Sequence, residues 1–181
     1  MAERKVVEPE PIELPWSESC FLCGERNSLG LKVKFKKDAD RVYTEYCVDE
    51  RRVGYDGQVH GGIVAALLDE TMGWAVALAL GRMCISAEIT IRYVKRVPVG
   101  TRIIVSAKPG RCSRRLGVAE GEVRDADGTL YARASGKFLP ISFEETRRVD
   151  SQLIYPEGGK GLFDVPVEDP PGWVEDSTLQ D

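Results

Sequence analysis

The sequence predicts an α+β fold in which a curled antiparallel sheet of five to six strands wraps around one long buried helix. The stretch from Gly61 to Leu80 carries apolar residues on every face, so we expect other structure to enclose this helix. From Cys84 onward the apolar residues recur with a period of two, which is typical of β-strands. Turn residues divide this second part into consecutive strands, as in a meander.

The elements can be assigned in order along the chain. A first strand is expected at residues 31–36, where apolar and basic residues alternate, and a second at 41–48. The helix follows His60 and is expected to end at Gly81. The strands expected after the helix are residues 84–97, 101–107, 116–124 and 129–139, with Pro109-Gly110 interrupting the sheet.

Composition divides the chain into one folded domain and two flanking segments. Residues 1–19 are rich in Pro and Glu and are expected to form an extended arm. Residues 20–142 form the predicted domain. Residues 143–181 form an acidic tail for which we expect little regular structure, with Tyr155, Phe163 and Trp173 as candidates for docking.

Charge and hydropathy exclude several classes of partner. The 181 residues carry a net charge of −4 without a dense basic block, so nucleic acid is not expected as a partner. The N-terminal sequence has no apolar core of a secretory signal, and we expect a cytoplasmic protein. The helix has the length of a membrane span, but Asp69 and Glu70 at its centre would each cost roughly 2.5 kcal/mol or more to insert. We therefore expect no membrane partner.

Five cysteines form no disulfide framework, which favours a reducing compartment. Cys20 and Cys23 make a CxxC that could hold zinc or act in redox chemistry. A second CxxC is absent from the sequence, so zinc would need Cys47, Cys112 or a partner subunit. We expect a reduced structural pair, with no metal and no cofactor bound.

The helix N-terminus suits the stabilisation of an anion. Its first backbone N–H groups lack partners within the helix and lie at the positive end of the helix dipole. Gly61 and Gly62 leave room for a substrate to approach these groups. A developing oxyanion would be stabilised there.

The motif His60-Gly61-Gly62, with Asp69 seven residues after the second glycine, resembles that of the hotdog-fold acyl-CoA thioesterases, in the phenylacetyl-CoA thioesterase group. The resemblance covers about residues 20–141. It implies that Asp69 is the general base or nucleophile, that the Gly61 N–H polarises the thioester carbonyl, and that Ser86 helps to orient water. Relatives often carry Asn or Gln a few residues before the motif, where this chain has Gly54.

Spacing along the helix adds a constraint. Asp69 lies eight residues beyond Gly61, which is roughly 12 Å along a helix axis. A base and an oxyanion donor acting on one carbonyl must both lie within ~3 Å of the reacting atoms. We therefore expect an obligate homodimer with composite sites, which could assemble into larger oligomers.

The remaining candidate residues have less specific signals. His60 is either a residue that orients the loop or an acid–base group. Glu70 is expected at the interface or beside the site, paired with an arginine such as Arg92. Other candidate substrate contacts are Gly62, Glu70, an acyl wall of Met72, Trp74, Ile85 and Ile89, and CoA-phosphate contacts from Arg114 and its basic neighbours Lys95, Arg96, Arg111 and Arg115.

Two other functions compete with thioester hydrolysis. A domain of this fold could bind acyl-CoA without cleaving it. An enoyl-thioester hydratase would use an Asp and His pair, for which His60 and Asp69 would have to come from different subunits.

Overall fold

Helix α1 (Gly61–Leu80) is the element around which the sheet curls. The computed structural model of the chain describes residues 10–159, 161–163, 166 and 169. The other elements are β1 (Ile12–Glu13), β2 (Trp16–Ser17), β3 (Lys36–Lys37), β4 (Val42–Cys47), a short 3-10 helix (Glu50–Arg52), β5 (Cys84–Tyr93), β6 (Arg102–Cys112), β7 (Gly117–Asp125), β8 (Leu130–Pro140), α2 (Phe143–Asp150) and β9 (Leu153–Ile154).

The antiparallel sheet contains seven strands in the order β1-β3-β4-β6-β7-β8-β5. Strands β6, β7 and β8 form the predicted meander, and β5 returns to the edge beside β8. The predicted α+β fold is therefore confirmed, with a sheet slightly larger than the five to six strands expected. Because β5 is the last strand, it pairs on one side only within the described part of the chain.

Both ends of α1 are determined locally. His60 is the N-cap, and its Nδ1 accepts a hydrogen bond of 2.9 Å from the Gly62 N–H. Gly81 has a left-handed conformation with φ of 67°, and its N–H donates to the carbonyl of Ala77. The prediction that Gly81 ends the helix is confirmed.

Glycines in β7 allow α1 to pack closely on the sheet. A Cβ atom at Gly117 would lie 2.3 Å from Cγ1 of Val76, and one at Gly121 would lie 3.1 Å from side-chain atoms of Leu68 and Met72. All three helix side chains are fully buried. On another face of α1, residues such as Ile63, Ala66 and Asp69 are only partly buried, so one protomer does not enclose every face as the sequence led us to expect.

The strands differ from the prediction in their ends. Strand β5 stops at Tyr93, and β6 continues through Pro109-Gly110 with a shift of register that accommodates the interruption expected there. Of the predicted strand at residues 31–36, only Lys36 is in a strand. The alternation is preserved, because Leu31, Val33 and Phe35 are buried.

The flanking segments are more ordered than predicted. Strand β2 pairs with β9, so residues before and after the domain pack together. Helix α2 starts at the N-cap Ser142, whose Oγ accepts from the Glu145 N–H. The prediction of little regular structure after Phe143 is therefore wrong for residues 143–154. Phe163 is buried, whereas Trp173 lies outside the described residues.

Among the described residues, α1 is the one helix that is long and apolar enough to cross a bilayer. In this fold it contacts β4, β5, β6, β7 and β8 as the central helix of the domain.

Candidate active site

Asp69 and Ser86 form a hydrogen-bonded pair between the middle of α1 and the start of β5. The Ser86 hydroxyl donates to Oδ1 of Asp69 at 2.5 Å. The register of β5 against β8 shifts between Ser86 and Glu88, and such an irregularity changes where a strand directs its side chains. The two residues that the resemblance selected are thus brought together.

The pair opens into a cavity of about 360 Å³. One wall consists of the α1 and sheet residues Gly73, Trp74, Ala77, Met83, Cys84, Ile85, Phe138 and Ile141. The other lining residues come from the N-terminal part of the chain and from the residues after β8, namely Ser17, Cys20, Cys23, Glu145, Val149 and Leu153. The predictions for Trp74 and Ile85 are consistent with this lining, and the second group of lining residues was missed because it depends on the long-range pairing of β2 with β9.

Glu70 faces the CxxC segment in the same cavity. Burial raises the pKa of its carboxyl group to about 7, and the neighbouring Cys20 and Asp69 contribute to the rise. No ion pair joins Glu70 to Arg92 in the described part of the chain. Arg92 instead lines a cavity on the outer face of the sheet with Lys108 and Arg133, so the predicted pairing with Arg92 is wrong.

The two thiols of the CxxC have opposite pKa shifts. A hydrogen bond from the Cys23 thiol, aided by backbone N–H groups, lowers the pKa of Cys20 to about 6. The same hydrogen bond, with burial, raises the pKa of Cys23. The hydrogen bond between the two side chains therefore favours deprotonation of Cys20 and keeps the proton on Cys23.

The N-terminus of α1 presents a free backbone donor. Gly61 is exposed, and its N–H has no hydrogen-bond partner among residues 10–159. His60 accepts from the next N–H, that of Gly62. A Cβ at Gly62 would lie 2.9 Å from Nδ1 of His60, so Gly62 makes room for this imidazole ring, and its contact with substrate stays a prediction.

The residues around this end of the helix form a second cavity, of about 300 Å³. Gly61, Gln58, Tyr93, Lys95 and Arg96 are among the residues that line it. The Tyr93 hydroxyl donates to the Gly61 carbonyl at 2.9 Å, so Tyr93 contacts the carbonyl group of Gly61 and not its N–H. Asp69 and Gly61 therefore belong to different cavities of one protomer, at opposite ends of the first half of α1.

Three predicted residues lie elsewhere. Met72 is fully buried under Gly121 and Gly136 and does not line the cavity of Asp69, because its side chain fills the interface between helix and sheet. Ile89 packs against the core and is likewise absent from that lining. Arg114 lies in the exposed turn between β6 and β7 and lines neither of these two cavities.

Gly54 occupies the place where an Asn or Gln was expected. A Cβ there would lie 3.2 Å from Cδ2 of His60, so the imidazole ring packs against this glycine. Its N–H donates to the Gln58 carbonyl. This loop therefore supports the N-cap and brings no side chain to Asp69.

Comparison with known families and curated proteins identifies this arrangement. Residues 56–132 match the model of the Thioesterase superfamily, which covers the segment from just before His60 to the start of β8. The acyl-coenzyme A thioesterase THEM4 of Xenopus laevis is 30% identical over 121 residues. The acyl-coenzyme A thioesterase THEM5 of Mus musculus is 32% identical over 94 residues.

These alignments cover only part of each protein. They span 58% and 51% of this chain, and 54% and 37% of the THEM4 and THEM5 relatives. The chain thus matches about half of one relative and less of the other.

Solved structures show a similar fold. A thioesterase superfamily protein superposes with a TM-score of 0.63 and 27% identity, covering 67% of this chain and 60% of its own. The smu.793 protein of Streptococcus mutans bound to acetyl CoA superposes with a TM-score of 0.53 and 20% identity. The match covers 56% of this chain and 82% of that protein. The E. coli PaaI protein of the phenylacetic acid degradation operon superposes with a TM-score of 0.57 and 19% identity. The match covers 61% of this chain and 80% of that protein.

The last two identities are low and show a common fold alone. Together with the family match, they confirm the resemblance that His60-Gly61-Gly62 and Asp69 suggested. Residues 56–132 are thus similar to the Thioesterase superfamily, and the domain built around α1 has the hotdog fold of these solved thioesterase structures.

Proposed function

We propose that the chain is an acyl-CoA thioesterase that hydrolyses its substrate to a free acid and CoA at two composite sites of a homodimer. The observation that carries the proposal is the Asp69–Ser86 pair at an apolar cavity, on the same helix as the unpartnered Gly61 N–H. Neither feature is needed by a protein that only binds an acyl chain.

Asp69 acts as general base in this scheme. Ser86 holds Oδ1, which leaves Oδ2 to take a proton from water. The water oxygen attacks the thioester carbonyl carbon, and the carbonyl electron pair moves onto oxygen. Collapse of this oxyanion re-forms the C=O bond and breaks the C–S bond, and the departing CoA thiolate takes the proton back from Asp69. The balance is one water consumed and one acid and one thiol released.

The oxyanion is stabilised by Gly61 of the partner subunit. Along the helix, the Gly61 of the same protomer is about 12 Å from Asp69, too far to contact the same carbonyl. A free N–H at a helix N-terminus is a suitable donor, because it has the helix dipole behind it and needs no reorganisation.

Strand β5 supports the required symmetry. Near its start, Ser86 is hydrogen-bonded to Asp69, and at its end Tyr93 is hydrogen-bonded to Gly61. If two copies pair antiparallel along β5 about a two-fold axis between Ile89 and Thr90, Ser86 of one copy faces Tyr93 of the other. That register brings the Gly61 of each copy to the Asp69 of its partner.

The exposed surface of β5 favours such pairing. Its outer edge has no neighbour in the described chain, and Ile85 and Tyr93 expose 46% and 52% of their surface. A strand of ten residues with an unpaired edge is a site of association unless it is covered. Pairing with a second copy covers it and encloses the open face of α1.

The CoA portion would lie toward the cavity of Gly61. Lys95 and Arg96 line that cavity, and their cationic groups suit the phosphates of CoA. Arg114, in the turn after β6, lies outside both cavities and takes no part in this scheme. The acyl chain would enter the Trp74 and Phe138 cavity beside Asp69.

The test is thiol release from short, long and aromatic acyl-CoAs by the wild type, Asp69→Asn and Asp127→Asn. We expect hydrolysis that falls by about 10² or more in Asp69→Asn, the usual size of a lost acid–base group. Asp127→Asn makes the same chemical change in an exposed turn and should retain full activity. Binding of acyl-CoA without release of thiol from any substrate would contradict the proposal and indicate a binding module.

A further inference from the structure

We infer that Cys20, Cys23 and Glu70 bind a zinc ion in the wall of the cavity that contains Asp69. The two sulfur atoms and a carboxylate oxygen of Glu70 all lie within 4.8 Å of one another. Two sulfur ligands of a tetrahedral zinc ion, at bonds of about 2.3 Å, are about 3.8 Å apart. A small contraction of this cluster therefore gives three ligand positions.

The backbone around the CxxC has the form of a turn that presents two sulfurs to one point. The N–H groups of Leu22 and Cys23 donate to Cys20 Sγ at 3.2 and 3.4 Å. The Gly24 N–H closes the turn by donating to the Cys20 carbonyl at 3.0 Å. Backbone donors directed at a sulfur stabilise its thiolate form, which is the form that binds a metal.

Gly24 makes this turn possible. A Cβ at Gly24 would lie 2.4 Å from the Cys20 carbonyl oxygen and 2.6 Å from that of Glu18, so a larger residue would open the turn. The residues Cys20-Phe21-Leu22-Cys23-Gly24 therefore form a single hydrogen-bonded turn.

The third group comes from a distant part of the chain. Glu70 projects from the middle of α1 toward the sulfurs, whereas Asp69 pairs with Ser86. Neither Cys47 nor Cys112 belongs to this cluster, although sequence reasoning regarded them as the possible further ligands. A cation bound between Cys20, Cys23 and Glu70 would compensate the charge that these groups carry when they are deprotonated beside apolar side chains.

The donor set selects the metal. Two thiolates favour a soft or borderline ion such as Zn²⁺ over Mg²⁺ or Ca²⁺. The fourth position faces the cavity, where a water molecule can complete the tetrahedron. Trp74 Nε1, which is buried without a hydrogen-bond partner, approaches the Glu70 carboxylate and is placed to donate to it or to that water.

The ion would fasten the N-terminal segment to α1. Ser17, Cys20 and Cys23 line the cavity, and no hydrogen bond or ion pair joins them to Glu70 within the described part of the chain. Binding would release thiol protons to solvent and couple metal affinity to pH.

The experiment is metal analysis of the full-length chain purified under reducing conditions, followed by Co²⁺ titration of the metal-free protein. We expect one zinc ion per chain and, with Co²⁺, sulfur-to-cobalt charge-transfer absorption with the visible bands of a four-coordinate ion. Cys20→Ser and Cys23→Ser should each lose most of the charge-transfer intensity. Glu70→Gln should keep it but weaken binding by at least roughly tenfold, the cost of losing even an outer partner of a metal ligand.

Cys47→Ser is the matched control, because Cys47 is an exposed thiol on β4 outside the cluster. It should bind metal as the wild type does. Wild-type protein with five titratable thiols, no zinc and no cobalt absorption would overturn the inference. A Cys20–Cys23 disulfide in protein purified without reductant, together with no metal binding after reduction, would also overturn it and identify a redox pair.

Discussion

At the scale of single residues, His60 is tied to the first turn of α1. Its Nδ1 accepts from the Gly62 N–H, and its ring packs against Gly54 and Gly62. An imidazole held in this way leaves the neighbouring Gly61 N–H as the open donor. The geometry thus favours the first of the two roles left open by the sequence, that of an orienting residue.

His60→Asn and His60→Ala separate the two roles. Asn is a good N-cap, so His60→Asn should keep the free energy of unfolding within a few tenths of a kcal/mol, while His60→Ala should lose about 1 kcal/mol. Urea unfolding measures both. Thiol release by His60→Asn should stay within a few-fold of the wild type. A loss of about 10² in that variant, with stability unchanged, would instead identify His60 as an acid–base group.

The sequence could select the residues of the proposed chemistry because they lie in one local motif and one resemblance. Asp69, Ser86 and Gly61 lie where the helix and strand assignments place them. Met72 was misplaced because an apolar helix does not reveal from its sequence which face meets the sheet. That face is decided by Gly117 and Gly121, far along the chain.

At the scale of elements, α2 and β9 complete the cavity. Ser142 and Glu145 form the pattern of a capping box, a local signal that could have predicted α2. Asp169 accepts from the Phe143 N–H at the start of the helix and pairs with the buried Arg82 at 2.7 Å. The pairing of β2 with β9, by contrast, joins residues from opposite ends of the chain, and no local pattern specifies it.

Tyr155 connects parts of this C-terminal region by hydrogen bonds and makes its stability depend on pH in the alkaline range. Its hydroxyl donates to Asp150 and accepts from the Leu162 N–H. Burial, with the hydrogen bond to Asp150, raises the pKa of Tyr155 from 10.0 to about 12. The folded state holds the Tyr155 proton more tightly than the unfolded state does. The stabilisation that the protonated hydroxyl gives to the folded state is therefore complete below pH 10 and is lost as the pH rises toward 12.

Tyr155→Phe should therefore be less stable than the wild type at pH 8, with a difference that shrinks above pH 10. Denaturant unfolding of both proteins across this range measures the difference. Tyr43→Phe provides a control on β4, away from this region. A difference that is constant with pH would show that the Tyr155 hydroxyl does not titrate differently in the two states.

At the scale of the whole molecule, the long helix separates the proposed base, Asp69, from the proposed oxyanion donor, the Gly61 N–H. Asp69 lies in one cavity and Gly61 in another, and β5 connects the two positions along the edge of the sheet. The rise of an α-helix by itself requires this separation, so the spacing of the two residues in the sequence was enough to predict it. What the sequence could not supply was the surface for association, because the exposure of β5 depends on the order of all seven strands.

Two variants can divide the composite site between subunits. Asp69→Asn removes the base. Gly61→Pro removes the N–H donor at the first helical position, where proline is well tolerated, and the extended backbone of His60 (φ −62°, ψ 132°) suits a residue that precedes proline. Gly61→Ala keeps the N–H, and its Cβ would meet Tyr93 at an ordinary 3.6 Å, so it serves as the matched control.

The most direct measurement is the activity of a heterodimer that contains one Asp69→Asn chain and one Gly61→Pro chain, isolated with two affinity tags. Each variant alone should lose about 10² or more in thiol release. The heterodimer should recover about half of the wild-type activity, because one of its two sites then has both Asp69 and the Gly61 N–H. A heterodimer as inactive as the two parent variants would place the base and the donor in the same subunit and contradict the composite site.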